Sequence, residues 1–368
     1  PAAGGFLHEG TSYGMAGMLQ NLFLMYAAHQ TATGLSFFDG WADEAMLLKV
    51  AMTTPDMKGV VPFGDQASST KALFNDISHL GGLLFHFFRP GTDVKSALVR
   101  DWLTAIAPNT QKYYWYHWSR FAYPVPAGGP FPPIRQSYAP GAGYAVSRFG
   151  DVQHHWRLGA NLGDHNDLAA GEIATCRNGD WLIALARQTS HSGIERTAEY
   201  CNCLAVDGRG QSARNLVNQS LLPAVTEVCE DGDGYSYRRG EAGATYIVPS
   251  SSQLIPLLKS WKRHDLCLET LNARIIYDRV EPVNPASVIK LHTNYLTPAG
   301  TSQGNRFRRR GAGSEVETTA LLPETPPEQV ALRLGPPGST NVTSYRLDQA
   351  QSGLAVSRFL NVYQFGPG

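Results

Sequence analysis

The residues best equipped for chemistry lie in one glycine-bounded stretch, Gly163-Asp164-His165-Asn166-Asp167-Leu168-Ala169-Ala170-Gly171. An imidazole between two carboxylates, in a segment without apolar period, suits a loop group that hydrogen-bonds a substrate or moves a proton near neutral pH. A solvated loop histidine is the plain alternative. A second concentration opens the chain, with His8, Glu9, Ser12 and Tyr13 close together. Gly10-Thr11-Ser12-Tyr13-Gly14 fits the G-x-S-x-G pattern of a nucleophile elbow, which needs a strand before it and a helix after it. Only the helix follows here, so Ser12 reads as a helix N-cap, and a serine hydrolase is the lesser reading. Tyr13, a phenol at a helix start beside His8 and Glu9, can give or take a proton in a polar pocket; ordinary packing is its rival.

Other side chains carry weaker signals. Cys201 and Cys203 alternate onto one face of an expected strand, where small buried thiols are common, and neither H-E-x-x-H nor paired C-x-x-C is present to mark a metal site. The aromatic run Tyr113, Tyr114, Trp115, Tyr116 and Trp118 has flat faces that stack on sugar rings or glue two domains together. Arg306, Arg308, Arg309 and Arg310 are able to hold sulfates or carboxylates in bidentate pairs, though a solvated hairpin tip accounts for them as well.

The elements that must position these groups change along the chain. Met15, Met18, Leu19, Leu22 and Tyr26 fall on one helical face, with Gly34 as a stop; Trp41, Ala45, Leu48 and Met52 predict a second helix, Leu73, Ile77, Leu80 and Leu84 a third, and Val94, Leu98, Trp102 and Ile106 a fourth. Short connections carrying Pro55, Gly64 and Pro90 predict antiparallel neighbours. After the passage from Tyr113 to Pro140 the pattern turns to short β-branched and aromatic runs between Gly, Asn and Asp. The clearest are Tyr144 to Ser147, Trp181 to Ala184, Thr245 to Val248, Arg274 to Tyr277 and Val288 to His292. A helical domain followed by an antiparallel β-sandwich is expected.

With 368 residues the chain is long enough for two domains, and its 31 basic and 31 acidic residues give no bulk pull toward nucleic acid or membrane. No apolar run approaches the roughly 20 residues of a spanning helix, and no membrane insertion is expected. Five cysteines exclude a disulfide-dense scaffold. The chain opens at Pro1 inside what reads as a glycine turn before a helix, from which upstream sequence is expected.

Four segments together resemble the heparinase II/III-like polysaccharide lyases. Gly4-Gly5-Phe6-Leu7-His8-Glu9-Gly10-Thr11-Ser12-Tyr13 resembles their Glu-Gly-x-x-Tyr segment, and Asp164 to Ile173 their D-H-x-H/D-x-x-x-G-x-F strand entry. Cys201-Asn202-Cys203-Leu204-Ala205-Val206-Asp207-Gly208-Arg209-Gly210-Gln211 is similar to their H-N-x-L-x-V-D-G-x-x-Q run, and Arg274 to Val280 to a later D-x-V strand. The series spans essentially the whole chain in matching order.

The resemblance implies an α+β multidomain fold, with the C-terminal part of an (α/α) toroid over residues 1–125 and the β-sandwich over 126–368. It implies β-elimination at a uronic acid in an acidic polysaccharide, leaving a 4,5-unsaturated product. Tyr13 would be the acid/base and His165 its companion, with His8, Glu9, Asp164, Asn166, Trp115 and Arg308 as substrate-binding candidates. No cofactor is needed for that chemistry. Family members with a structural zinc use a second His, a carboxylate and the His of H-N, where this chain has Asp167, Ala184 and Cys201. Asp167 and Cys201 thus remain weak metal candidates, with His191 and Cys203 as nearby donors. A non-catalytic glycan-binding relative is the other reading. A substrate of polysaccharide size implies a periplasmic or secreted protein and no nucleic-acid partner.

Overall fold

The computed structural model describes residues 3–7, 13–61, 63, 72–73, 76–89, 93–109, 117–125, 127–159, 169–185, 200–211, 224–249, 254–332 and 344–368. Among the described residues five α-helices fall in the first third: α1 (Leu19–Thr33), α2 (Trp41–Ala51), α3 (Asp76–Phe88), α4 (Val94–Ile106) and α5 (His117–Ala122). A π-helical turn, Tyr13–Met18, leads into α1. Gly34 ends α1 as expected, at φ 75° with its N–H on Gln30 O, because a left-handed residue closes the last turn without a Cβ penalty.

Three details differ from the periodicity. Leu73 belongs to a small hairpin, β1 (Gly59–Val60) with β2 (Ala72–Leu73), so the α2–α3 connection is not short. Val94 is 84% exposed: the Asp93 carboxylate caps α4 by accepting from Ser96 N, and the inward face begins later, with Val99, Trp102, Leu103 and Ile106. Thr245 closes a 3-10 turn, Gly243–Thr245, and only then does a strand begin.

A five-stranded antiparallel meander follows: β3 (Gln136–Ala139), β4 (Tyr144–Phe149), β5 (Val152–Arg157), β6 (Glu172–Arg177) and β7 (Asp180–Ile183). The remaining strands are β8 (Leu204–Val206), β9 (Val225–Gly232), β10 (Tyr235–Glu241), β11 (Ile247–Pro249), β12 (Leu254–Pro256), β13 (Leu258–Leu268), β14 (Ala273–Pro282), β15 (Ile289–Leu296), β16 (Thr301–Gln303), β17 (Arg306–Arg310), β18 (Ser314–Leu322), β19 (Glu328–Leu332), β20 (Ser344–Gln351) and β21 (Ser357–Pro367). One layer of the sandwich is the eight-stranded sheet β16-β17-β18-β21-β14-β13-β10-β9. The other joins the meander to the four-stranded sheet β19-β20-β15-β8 through a bond from Ala184 N to Asn294 O, 2.9 Å.

The meander is buried on both faces. Tyr144, Val146, Ala174, Cys176 and Trp181 pack into one core with the helices, whereas the alternate residues Ala145, Ile173 and Leu182 pack into a second core with Trp261, Phe359 and Tyr363 of the eight-stranded sheet. That explains why β4 and β5 are buried at every position although strands with one wet face alternate. The described helices line one side of this sheet; a closed toroid is not seen among them.

Candidate active site

Asp164, His165, Asn166 and Asp167 stand in sequence between β5 and β6 and, with His8, Glu9 and Trp115, lie outside the described residues. The side chain of Tyr13 lies outside them too, and its backbone opens the π-helical turn. What the structure describes in detail is how both approaches to the site are held.

Residues 3–7 lead toward Tyr13 along the edge of the meander. Gly141 N donates to Ala3 O at 3.0 Å, Gly4 N to a Glu44 carboxylate oxygen at 2.9 Å, and the Phe6 ring stacks on Tyr144 at 5.2 Å. Gly5, at φ 81°, passes so near α2 that a Cβ would lie 2.1 Å from Ala45 N. Tyr144 pairs with Arg157, and Arg157 with Glu172. This row is the end of the sheet at which residues 3–7 lie, after which the described chain stops at Gly159 and resumes at Ala169.

The entry to β6, Ala169 to Gly171, is clamped by residues from three distant stretches. Gln211 accepts from Ala170 N at 2.9 Å and donates to Ala170 O at 2.7 Å. Arg263 donates to Gly171 O, to Asn202 O at 2.6 Å, and in a fork to Asp278 at 2.8 and 3.0 Å. Trp261 donates to the same carboxylate at 2.7 Å and lies over Gly171, whose Cβ would meet the indole at 2.5 Å. Asn202 donates to Ile173 O and Ala184 O, at 2.7 and 2.8 Å. Gly171, Asn202, Gln211 and Asp278 thus meet in one buried network, although they come from three of the four sequence segments singled out above.

Charge inside this network is costly and is balanced locally. Burial pushes the Glu172 carboxyl up to about 8, against the pull of Arg157, the Asn202 N–H and Arg263. Burial also pushes the Arg157 guanidinium down, with Glu172 and the Cys203 and Cys201 thiols acting the other way. Arg263 is held charged despite burial because Asp278 is bonded to it.

The other candidates fall elsewhere. Cys201 and Cys203 are both buried, in an irregular segment before β8 rather than on one strand face; the Cys203 thiol donates to Ala170 O at 3.6 Å. The Ala184 carbonyl accepts from Asn202 at 2.8 Å. Among the described residues no group of three or more His, Cys, Asp or Glu could hold a metal ion. Arg308 is on β17 and not at a hairpin tip; Phe307 and Arg309 point into the sandwich, and Arg308 faces outward, paired with Glu315. Trp261 and Arg263 were missed from sequence. The signal was available: in the alternating strand from Leu258, residues 261, 263, 265 and 267 share the inward phase, so an arginine there requires a buried acidic partner.

The described helices and the two-layered antiparallel sandwich they lie on superpose on solved structures of a heparan sulfate lyase and a heparinase III. The heparan sulfate lyase HepC from Pedobacter heparinus superposes with a TM-score of 0.72 at 11% identity, over 100% of this chain and 54% of that one. A heparinase III structure gives 0.68 at 14% identity, over 99% of this chain and 55% of that one. The likeness is one of fold, and the chain spans about half the length of the structures it matches. No family model and no curated protein sequence matches it. Among the described residues no helix is long and apolar enough to cross a membrane.

Proposed function

We propose that the chain is part of a polysaccharide lyase that cleaves an acidic, uronate-containing polysaccharide by β-elimination. The observation that carries this reading is the clamp: Gly171, Asn202, Gln211 and Asp278 converge at the entry to β6, which begins a few residues after His165 in the sequence, in a fold shared with a heparan sulfate lyase. In this reading residues 1–125 contribute part of an (α/α) toroid, 126–368 form the sandwich, and an acidic chain lies between them, outside the cytoplasm.

The chemistry asks for few groups. A base removes the proton on C5 of the uronate, an acid protonates the departing C4 oxygen, and donors neutralise the carboxylate so that the charge developing at C5 is tolerable. Tyr13 supplies the proton transfer and His165 pairs with the carboxylate; Asp164, Asn166, His8, Glu9 and Trp115 are the surrounding contacts. No metal enters the reaction.

The test is ultraviolet absorbance of a 4,5-unsaturated uronate, followed with the protein on heparan sulfate, chondroitin sulfate, hyaluronan, alginate and ulvan. Absorbance should rise on one of them. Tyr13→Phe and His165→Ala should each lower turnover by about a hundredfold or more while the melting temperature holds. Binding of these glycans with no rise on any would replace the lyase by a glycan-binding protein, and a fully active Tyr13→Phe would remove that residue from the reaction.

A further inference from the structure

The proposed reaction leaves the outer face of the eight-stranded sheet unused, and the charges on that face are arranged in two ways. At one end Arg308 stands opposite Glu317, and Arg310 opposite Glu315, across β17 and β18; opposite signs in facing positions stabilise a sheet. Toward the other end Lys262 on β13 stands opposite Arg279 on β14, and Arg279 opposite Arg358 on β21. Like charges in facing positions are destabilising, yet here three run side by side over about 10 Å, two strand spacings. Arg239 on β10 adds a fourth, in the next row and opposite His264. Carboxylates do not match them in number. Glu227 is shared by Arg239 and Lys262, at 2.9 and 3.5 Å, and Glu281 pairs with Arg279. Glu241, opposite Lys262, accepts instead from Gly243 N, Ser260 Oγ and Trp261 N. Arg358 is exposed and has no acidic partner among the described residues.

Beside this row lie three partly exposed rings. His264 sits between Tyr237 and Tyr277, with ring centroids 6.2 and 5.6 Å away, and the Tyr237 hydroxyl is 2.8 Å from His264 Nδ1. Burial and the neighbouring Arg239 push the His264 imidazole below its ordinary value, so at neutral pH it is an uncharged flat ring. Leu266, Ile275, Leu360 and Val362 continue the apolar strip on the same face. Cations alone would suit any polyanion, and rings alone any apolar partner. The two together, at the scale of a disaccharide, suit a chain whose sugar rings offer C–H faces and whose edges carry anionic groups.

We propose that this face is a second docking site for an acidic polysaccharide, apart from the place of cleavage: Tyr237, His264 and Tyr277 bear sugar rings, while Lys262, Arg279 and Arg358 hold carboxylates or sulfates. The choice of occupant rests on the lyase reading; the excess of positive charge beside the rings does not.

The test is surface plasmon resonance on end-immobilised heparan sulfate, chondroitin sulfate, hyaluronan, alginate and ulvan. Arg279→Gln with Arg358→Gln should raise Kd on the bound polysaccharide tenfold or more, whereas Arg306→Gln with Arg310→Gln, which removes as much charge from the paired end, should change it less than twofold. Tyr277→Ala, with every charge kept, should raise Kd by up to about tenfold. Arg358→Glu should weaken binding while holding or raising the melting temperature, because it sets opposite signs face to face. Equal losses in the two arginine pairs, wild-type binding by Tyr277→Ala, equal binding of a DNA oligonucleotide, or a melting temperature that falls with binding in Arg358→Glu would each overturn the proposal. On long chains the KM of the Arg279→Gln, Arg358→Gln variant should rise in step with Kd. A protein that cleaves none of the polysaccharides yet loses binding in that variant keeps the docking face and removes the lyase. One that cleaves, with Kd and KM unmoved in the variant, keeps the lyase and overturns the docking face.

Discussion

Arg263 and Arg308 sit on the same eight-stranded sheet and each makes a forked pair with a carboxylate, yet their surroundings are opposite. The Arg263–Asp278 pair is 1% and 0% exposed; Arg308 is 47% exposed and its partner Glu315 18%. Strand phase alone separates them, since one arginine points into the sandwich and the other away from it. The outer pair is screened by water and constrains little. The inner pair, once out of water, must keep every donor and acceptor occupied, which makes it a rigid anchor for the peptide groups of Gly171 and Asn202. An arginine's acidic neighbour therefore says less about its role than the side of the sheet it occupies.

The contrast can be broken at its strong end. Arg263→Met leaves Asp278 buried and unpaired, and should cost about 3–5 kcal/mol of stability by denaturant unfolding, whereas Arg263→Met with Asp278→Leu should recover much of the loss. A single variant losing no more than a surface pair would erase the distinction. An intermediate case lies on β20. Burial would raise the Asp348 carboxyl, but hydrogen bonds from His292 and Arg346 bring it down to about 2 from 3.8. With the folded value the lower one, the unfolded chain takes up the proton first as pH falls. The stabilisation, about 2 kcal/mol, is present above 3.8 and lost toward 2, and unfolding free energies of wild type and Asp348→Asn should converge over that range. At the weak end, Arg308→Ala should leave the melting temperature almost unchanged, and more nearly so in high salt; a loss approaching that of Arg263→Met would make the outer pair structural after all.

Much of the helical part was legible because its apolar period is strong: α1 and its glycine stop, α2 and α4 lie where the spacing predicts. Leu73 misled because a single leucine before a helix carries the same period whether it sits in the helix or in a preceding hairpin. Val94 misled because the first turn after a cap reaches beyond the neighbouring helices. The β4, β14 and β15 strands were visible as β-branched and aromatic runs, but their arrangement was not. Alternation fails when both faces are buried, as in β4 and β5, so sequence could not reveal a sheet shared by two cores. At the candidate site the motif order brought Gly171, Asn202, Gln211 and Asp278 into view, while Trp261 and Arg263 lie on β13, whose inward phase mixes aromatic, charged and thiol side chains and so lacks the β-branched run that marks the other strands. Arg308 shows what composition leaves open: a cluster of charge is visible in the sequence, but the face of the sheet each arginine occupies follows from strand phase.

The meander between β3 and β7 has one wall in each core, and this bears on how the protein can be taken apart. Cutting the chain between α5 and β3 would divide the polypeptide without dividing the packing, since Tyr144, Val146, Ala174 and Trp181 would lose their helical cover. Excised sandwiches are expected to be sticky and excised helices molten. Grafting either half onto another protein would transplant a half-finished surface, so the smallest portable unit includes both.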